Sequence, residues 1–389
     1  MTPAKPILEI QNLRVALPQG GDRPNALDDL TLTVNEGEIV CLVGESGSGK
    51  SMAAGAVMRL LPEPHVRVTQ GAVRLDGQDI TALGQHEMRA LRGDRLSMIF
   101  QEPMTALNPQ KTVGWQIDEV LRLHTDLDRR ARKARVLEIL ADVHIPDPAS
   151  TYNAYPHQMS GGQRQRVMIA MALVLKPRLI IADEPTTALD VTTQKQILKL
   201  IKDLQHVHRT GILFITHDFG VVAEIADRIA VLRLGELVEQ GPAAQILNAP
   251  QHPYTKALIA AVPALTPPPE KPLVDAPVVL EAKSLRKTFA ARGGLLSGKR
   301  APVVAVKDLS FQLRRGETLG VVGESGSGKT TVSRIVTRLL ESDSGQVLID
   351  GRDLIAASRR ELRALRKDIQ MVFQDPMASL NPRKRVIDL

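Results

Sequence analysis

Eight residues, Gly44-Glu45-Ser46-Gly47-Ser48-Gly49-Lys50-Ser51, recur with a single change as Gly323-Glu324-Ser325-Gly326-Ser327-Gly328-Lys329-Thr330. Both copies fit the phosphate-loop pattern G-x-x-x-x-G-K-[ST]. Its glycines let the backbone close around phosphate oxygens, with amide N–H groups and a helix N-terminus facing the anion. The lysine (Lys50 or Lys329) reaches the β- and γ-phosphates, and the hydroxyl of Ser51 or Thr330 is placed for Mg²⁺. The apolar run 38–43 predicts a buried strand before the first loop, and 52–61 predicts a helix after it. A chain carrying this loop is therefore held to a strand–loop–helix α/β unit, and this chain carries it twice.

The first copy continues with polar groups at strand tips. The short apolar run 96–100 predicts a strand ending at Gln101, followed by a Pro-punctuated loop. An amide there can face Mg²⁺ or water, although alone it would pass for an ordinary loop residue. Residues 113–143 read as helical, with Ile117, Val120, Leu121 and Leu123 on an apolar face and a basic stretch at 129–135. Met159-Ser160-Gly161-Gly162-Gln163 opens a helix over 164–175, a second anion-binding N-terminus. The run 179–183 reads as a buried parallel strand ending in Asp183 and Glu184. Asp183 suits Mg²⁺ and Glu184 suits polarising an attacking water. The next buried strand, 211–216, ends at His217, where the carboxyl ends of parallel strands put ligand groups. Residues 228–240 read as a hairpin turning at Gly235-Glu236.

Length and composition narrow the class. At 389 residues the chain holds two or three domains, and its 43% hydrophobic and 24% charged residues are those of a globular protein. The net charge of +7 is spread over an Arg-rich surface with no aromatics interleaved, so nucleic acid is not the expected partner. Cys41 is the single cysteine, which excludes a disulfide framework or a zinc cluster within one chain and fits a reducing compartment. The N-terminus has no apolar signal core. The longest apolar run, 167–175, is cut off by Lys176-Pro177, well short of the ~20 residues that span a bilayer. Residues 266–277 form a Pro-rich linker. After it the pattern of the first copy returns, including Gln374 in a second copy of the Gln101 loop.

Together these motifs resemble the ATP-binding cassette ATPases over essentially the whole chain. The resemblance implies a P-loop NTPase fold: an antiparallel β subdomain, a parallel α/β core and a helical subdomain, duplicated, with the second copy incomplete. It divides the chain into a first cassette with a C-terminal extension (1–265), the linker (266–277) and the first part of a second cassette (278–389). It implies ATP and Mg²⁺ as ligands. Residues 44–51 and 323–330 would hold the phosphates, and Ser51, Gln101, Asp183, Thr330 and Gln374 would stand around Mg²⁺. Glu184 would be the general base, with Gln101 and His217 beside it. Ser160 to Gln163 match the signature that faces a nucleotide across a cassette dimer. Gln101 to Pro109, Asp183 to Asp190 and Gln251-His252-Pro253-Tyr254-Thr255-Lys256-Ala257-Leu258 look like the dipeptide, oligopeptide and nickel importer ATPases. Two fused cassettes resemble the glutathione-importer type. The implied role is peripheral, on the cytoplasmic face of a bacterial inner membrane. There two permease subunits, fed by a periplasmic binding protein, would take up a small peptide.

The sequence departs from the family pattern in three places. Met159 stands for the signature leucine, a volume-conserving change. Leu17 stands where an aromatic would stack on adenine, whereas Phe289 fits that role in the second copy. The second signature and second Asp-Glu pair would fall beyond Leu389. Neither loop is therefore expected to complete a hydrolytic site in cis; a second copy, a partner ATPase or a further C-terminal half would complete it. Two other readings stand beside the importer: a tandem-cassette ATPase acting on ribosomes or DNA, and a remnant that binds ATP without turnover. The ATPase rate per chain is expected to climb with protein concentration, as two first cassettes pair. A background rate that stays flat would mean that a partner or further chain is required. Rapid turnover by a strictly monomeric sample would overturn the expectation.

Overall fold

The computed structural model of the chain describes residues 5–18, 20, 22–102, 106–187, 189–262, 276–289, 302–324, 326–373 and 379–388. Most of the linker lies outside these residues, as do Ser325 and Gln374. The chain divides into two compact units, Met1–Leu265 and Thr266–Leu389.

Alternation of apolar and polar residues decides the start of the first unit. β1 (Pro6–Ala16) and β2 (Asn25–Asn35) pair antiparallel, with Leu8 opposite Val34. β3 (Ile39–Val43) then leaves for a second sheet. β4 (Arg67–Leu75) returns to the other edge of β1, and β5 (Gln78–Asp79) closes a four-stranded sheet of order β2-β1-β4-β5.

The second sheet carries the site. It adds β6 (Leu96–Ile99), β7 (Leu179–Asp183), β8 (Gly211–Thr216), β9 (Arg228–Arg233) and β10 (Glu236–Pro242) in the order β10-β9-β3-β8-β7-β6. All neighbours are parallel except β9 and β10, a hairpin that turns at Leu234-Gly235, one residue earlier than expected. Side chains alternate across a strand, and here both faces are covered. Ile39, Cys41 and Val43 enter one hydrophobic core, and Val40 and Leu42 enter the other. β7 and β8 divide in the same way: Ile180 and Phe214 on one side, Ile181 and Leu213 on the other. That is why these strands read as unbroken apolar runs.

Helices cover the two faces. α1 (Lys50–Met58) starts at the phosphate loop and packs under the antiparallel sheet. α2 (Gln85–Leu91) buries Met88 on that same side. On the opposite face lie α3 (Val113–His124), α4 (Arg129–Asp142), the short α5 (Pro148–Asn153), α6 (Gly161–Leu173), α7 (Val191–His208) and α8 (Phe219–Ile225). Their starts are capped by side chains that accept orphan amides: Thr112, Asp128, Asp147, Ser160, Asp190 and Asp218. α9 (Ala243–Asn248) and α10 (Pro253–Ala260) follow β10. Among the described residues no helix is long and apolar enough to cross a membrane.

The second unit repeats the opening of the first. β11 (Val278–Phe289), β12 (Val303–Arg314), β13 (Ser344–Ile349) and β14 (Arg352–Asp353) form an antiparallel sheet of order β12-β11-β13-β14. α11 (Lys329–Val336) follows the second phosphate loop, and α12 (Arg359–Leu365) follows the sheet. Residues 317–322 correspond to β3 yet form no strand, and Val322 is 93% exposed. The reason is pairing. β3 bonds to β8 and β9, and neither has a counterpart among the described residues of the second unit. Without neighbours the backbone groups have no ladder to join. Residues 370–373, which correspond to the end of β6, likewise form no strand.

These two environments predict opposite costs for one kind of truncation. Leu42→Ala, in a fully buried strand, is expected to cost about 2–5 kcal/mol. Val322→Ala is expected to cost less than about 0.5 kcal/mol. Urea titration followed by circular dichroism compares them, and equal losses would contradict the unpaired state of 317–322.

Candidate functional site

Four parallel strands end side by side, and each delivers one part of the site. Register fixes their alignment: Val43 lies opposite Thr216, Asp183 opposite Ile215, and Ile99 opposite Ala182. Beyond these ends come the phosphate loop from β3, His217 from β8, Asp183 and Glu184 from β7, and Gln101 from β6. They surround a pocket of about 520 Å³ lined by Gly44, Glu45, Ser46, Gln101, Glu184, Thr187, His217, Phe219 and Leu258.

Close approach dictates the glycines of the loop. A Cβ on Gly44 would stand 2.2 Å from the Leu232 carbonyl oxygen. Gly49, at φ +109°, caps α1 in the left-handed region, where a Cβ would stand 2.5 Å from the Ala26 oxygen. Inside the loop the Lys50 ammonium donates to the carbonyls of Gly44 (2.7 Å) and Glu45 (2.8 Å) and lies 3.5 Å from the Ser48 hydroxyl. Burial pushes the Lys50 pKa down, against the pull of Glu184 and Asp183. The buried cation is thus held by neutral carbonyls, an arrangement that an anionic phosphate would improve.

Asp183 is the complementary buried charge. It is 8% exposed, and burial raises its carboxyl pKa above the ordinary value. The Ser51 hydroxyl donates to Asp183 Oδ1 across 3.4 Å, and together with Lys50 it opposes that rise. Serine hydroxyl and buried carboxylate therefore face each other, and both offer oxygen ligands of the kind a small hard cation takes. Among the described residues no three His, Cys, Asp or Glu are placed to hold a metal ion together, so the protein would supply only part of a metal's shell. Phosphates and water would supply the rest.

Glu184 sits at the centre of a donor network. Its Oε2 accepts from Gln101 Nε2 (2.9 Å) and from the Thr187 hydroxyl (3.0 Å), and its Oε1 lies 2.9 Å from His217 Nδ1. The ionised carboxylate accepts from the imidazole tautomer that carries its proton on Nδ1. The Glu184 backbone has φ +45°, a left-handed conformation that costs a non-glycine residue roughly 1–2 kcal/mol. Its N–H is tied to the Ile215 carbonyl at 2.9 Å, so the neighbouring strand holds the turn that aims the side chain.

Other expected residues lie elsewhere. Ser160 caps α6 in a reciprocal box: its Oγ accepts from the Gln163 N–H, and the Gln163 side chain accepts from the Ser160 N–H. Gly162 is required because a Cβ there would meet Thr193 at 2.7 Å. Ser160, Gly161, Gly162 and Gln163 do not line the pocket of their own phosphate loop. Leu17 is half-buried against the core of the antiparallel sheet. In the second unit Lys329 repeats the Lys50 contacts, donating to Gly323 (2.6 Å) and Glu324 (2.7 Å). Gly323, Glu324, Gly326, Ser327 and Thr330 of that loop are solvent-exposed. Phe289 ends β11, 42% exposed, with the Lys287 ammonium 5.9 Å from its ring.

Sequence reasoning passed over several members. Thr187 was legible only as part of the turn after Glu184. Arg23, whose guanidinium donates to the Gly47 carbonyl, carries no sequence signal because it reaches the loop from the β1–β2 connection. Phe219 and Leu258 enter the pocket from helices far along the chain.

The chain belongs to the ABC transporter family, whose profile matches residues 27–187 and 306–388. Residues 238–292 also match the oligopeptide/dipeptide transporter C-terminal region. It is 48% identical to the glutathione import ATP-binding protein GsiA of Pectobacterium atrosepticum, over 99% of this chain and 67% of that protein. It is 46% identical to the peptidoglycan transport ATP-binding protein YejF of Agrobacterium fabrum, over 99% of this chain and 70% of that one. The chain thus spans about two thirds of the length of these curated relatives. Among solved structures it is similar to the ATP-binding cassette MJ0796, a dimer in a post-hydrolysis state bound to ADP and Pi. The TM-score is 0.54 and the identity 30%, over 61% of this chain and 98% of the cassette.

The two buried charges set a pH dependence. With its pKa raised, Asp183 gives the folded state an extra proton from about pH 4 upward to the raised value, so stability falls as pH rises through that window. Lys50 works the other way: its lowered pKa costs stability in full below the lowered value, and that cost is relieved as pH rises from there to the ordinary lysine value. The stability of the nucleotide-free protein relative to Asp183→Asn is therefore expected to fall as pH rises from the carboxylate range. Thermal midpoints of both proteins from pH 4 to pH 7 measure it, and parallel curves would refute it.

Proposed function

We propose that this chain is the ATP-binding and ATP-hydrolysing subunit of an importer for small peptides, glutathione included. The observation that carries the reading is the convergence of Lys50, Ser51, Asp183, Glu184, Gln101 and His217 at the ends of four adjacent strands. Support for the cargo comes from the relatives named for glutathione and peptidoglycan transport and from the oligopeptide-type C-terminal region. Two permease subunits and a binding protein would be the partners, with the chain peripheral on the cytoplasmic face of the inner membrane.

On this reading Lys50 leaves the Gly44 and Glu45 carbonyls for the β- and γ-phosphates. Ser51, Asp183 and the free amide oxygen of Gln101 are the residues that would hold Mg²⁺. When bound, the ion offsets charge on the phosphate oxygens. Glu184 accepts the proton of the attacking water. Its Oε2 already accepts from Gln101 and Thr187, whereas Oε1 faces only His217 and keeps a lone pair for that proton. His217 is placed to contact the γ-phosphate through Nε2 while Nδ1 faces Glu184. Ser160 and Gly162, on the exposed start of α6, would serve the nucleotide of a facing cassette.

Glu184→Gln keeps the shape of the network and removes the base. It is expected to lower ATP turnover roughly 10²- to 10⁴-fold. Equilibrium binding of ATP should stay within about threefold. Phosphate release and calorimetric titration measure the two, and an unchanged turnover would show that the base is elsewhere.

A further inference from the structure

The C-terminal region of the first unit reaches the phosphate loop. On β10, Glu239 accepts the N–H of Gln251 at 2.7 Å and of His252 at 3.1 Å. His252 then caps α10, its Nδ1 accepting the Tyr254 N–H at 3.2 Å, and Pro253 supplies the first helical residue. The start of this helix is thereby fixed to the sheet. Thr255 behind it is fully buried. Tyr254 projects onto the loop: its hydroxyl oxygen accepts the Glu45 N–H at 3.2 Å, and the Arg233 guanidinium sits 5.0 Å from its ring centre. One turn later, on the same helix face, Leu258 forms part of the pocket wall beside Glu45, Glu184 and His217.

This joins α10 to the peptide that Lys50 uses. Lys50 donates to the Gly44 carbonyl of the peptide group whose N–H, that of Glu45, Tyr254 holds. Once phosphate draws the ammonium away, Tyr254 remains the anchor of that limb of the loop. We propose that Tyr254 is a positioning residue that preorganises the first phosphate loop, and that α10 is a wall of the site whose protection changes with nucleotide. The inference rests on the first loop being an ATP site. Because Tyr254 acts on loop geometry and touches no reacting atom, its loss falls on binding and spares the proton transfer at Glu184.

The test uses the full chain with Lys329→Ala, so that calorimetric titration with Mg-ATP reads the first loop. Adding Tyr254→Phe keeps the ring over Arg233 and removes the hydroxyl. It is expected to weaken ATP binding roughly three- to tenfold, to raise KM in step and to leave kcat within about twofold. Hydrogen exchange at 251–260 should slow on ATP addition in the parent and less so in the variant. Unchanged affinity, or a fall in kcat with KM unmoved, overturns the inference. Lys50→Ala separates the two readings. If it leaves ATP affinity intact, the first loop is not the ATP site. If it abolishes binding while Tyr254→Phe binds normally, only the role of Tyr254 fails. Should Tyr254→Phe unfold, Leu258→Ala is expected to show the same loss in affinity with kcat retained, and normal binding by it would overturn the proposal.

Discussion

The parallel pairing of β3 with β8 and β9 is the constraint on which the rest depends. It buries Ile39 to Val43 on both faces and sets the phosphate loop beside the tips of β7 and β8. Among the described residues of the second unit no such pairing occurs. Its lysine contacts are nearly the same, yet the residues leading into its phosphate loop form no strand and the loop lies open. Local sequence is enough to shape the loop around its lysine. Burial of that lysine, and the company of carboxylates, come from neighbouring strands.

That company carries a cost. Lys50 and Asp183 are both buried with their charged forms disfavoured, and Glu184 holds a left-handed backbone. Each of these would relax if the site were not needed. The sheet holds them in place: Ile215 ties the Glu184 amide, and the Leu232 carbonyl closes on Gly44. Stability from two hydrophobic cores thus supports a cluster of unfavourable groups that a polyphosphate and a cation would make favourable. The packing of α10 against the same loop extends this economy to the C-terminal region, so that one helix joins the far end of the unit to the nucleotide pocket.

Much of this was legible in the sequence, because the informative residues are local. The octapeptide with its flanking runs specifies strand, loop and helix. Continuous apolar runs at 179–183 and 211–216 specify strands buried on both faces. A polar residue at each strand tip, such as His217 or Asp183, then falls on one edge by the geometry of parallel sheets. A helix start was legible at Ser160, whose side chain caps the amide three residues on. The helix after Ser160 begins at Gly161 instead of 164, because the cap, and not the first apolar residue, sets the boundary.

Contacts between residues distant in the chain were decided by tertiary structure alone. Gln101 and His217 meet on Glu184 only because β6, β7 and β8 are adjacent in register. Arg23 meets Gly47, and Tyr254 meets Glu45, across 24 and 209 residues of chain. No local pattern encodes such encounters. The absent strand at 317–322 makes the same point from the other side. The sequence by itself determined two phosphate loops, their glycines and the chemistry of the strand tips. The tertiary structure decided which distant residues meet around the first loop, because a β-strand in a sheet exists only where another strand completes its hydrogen bonds.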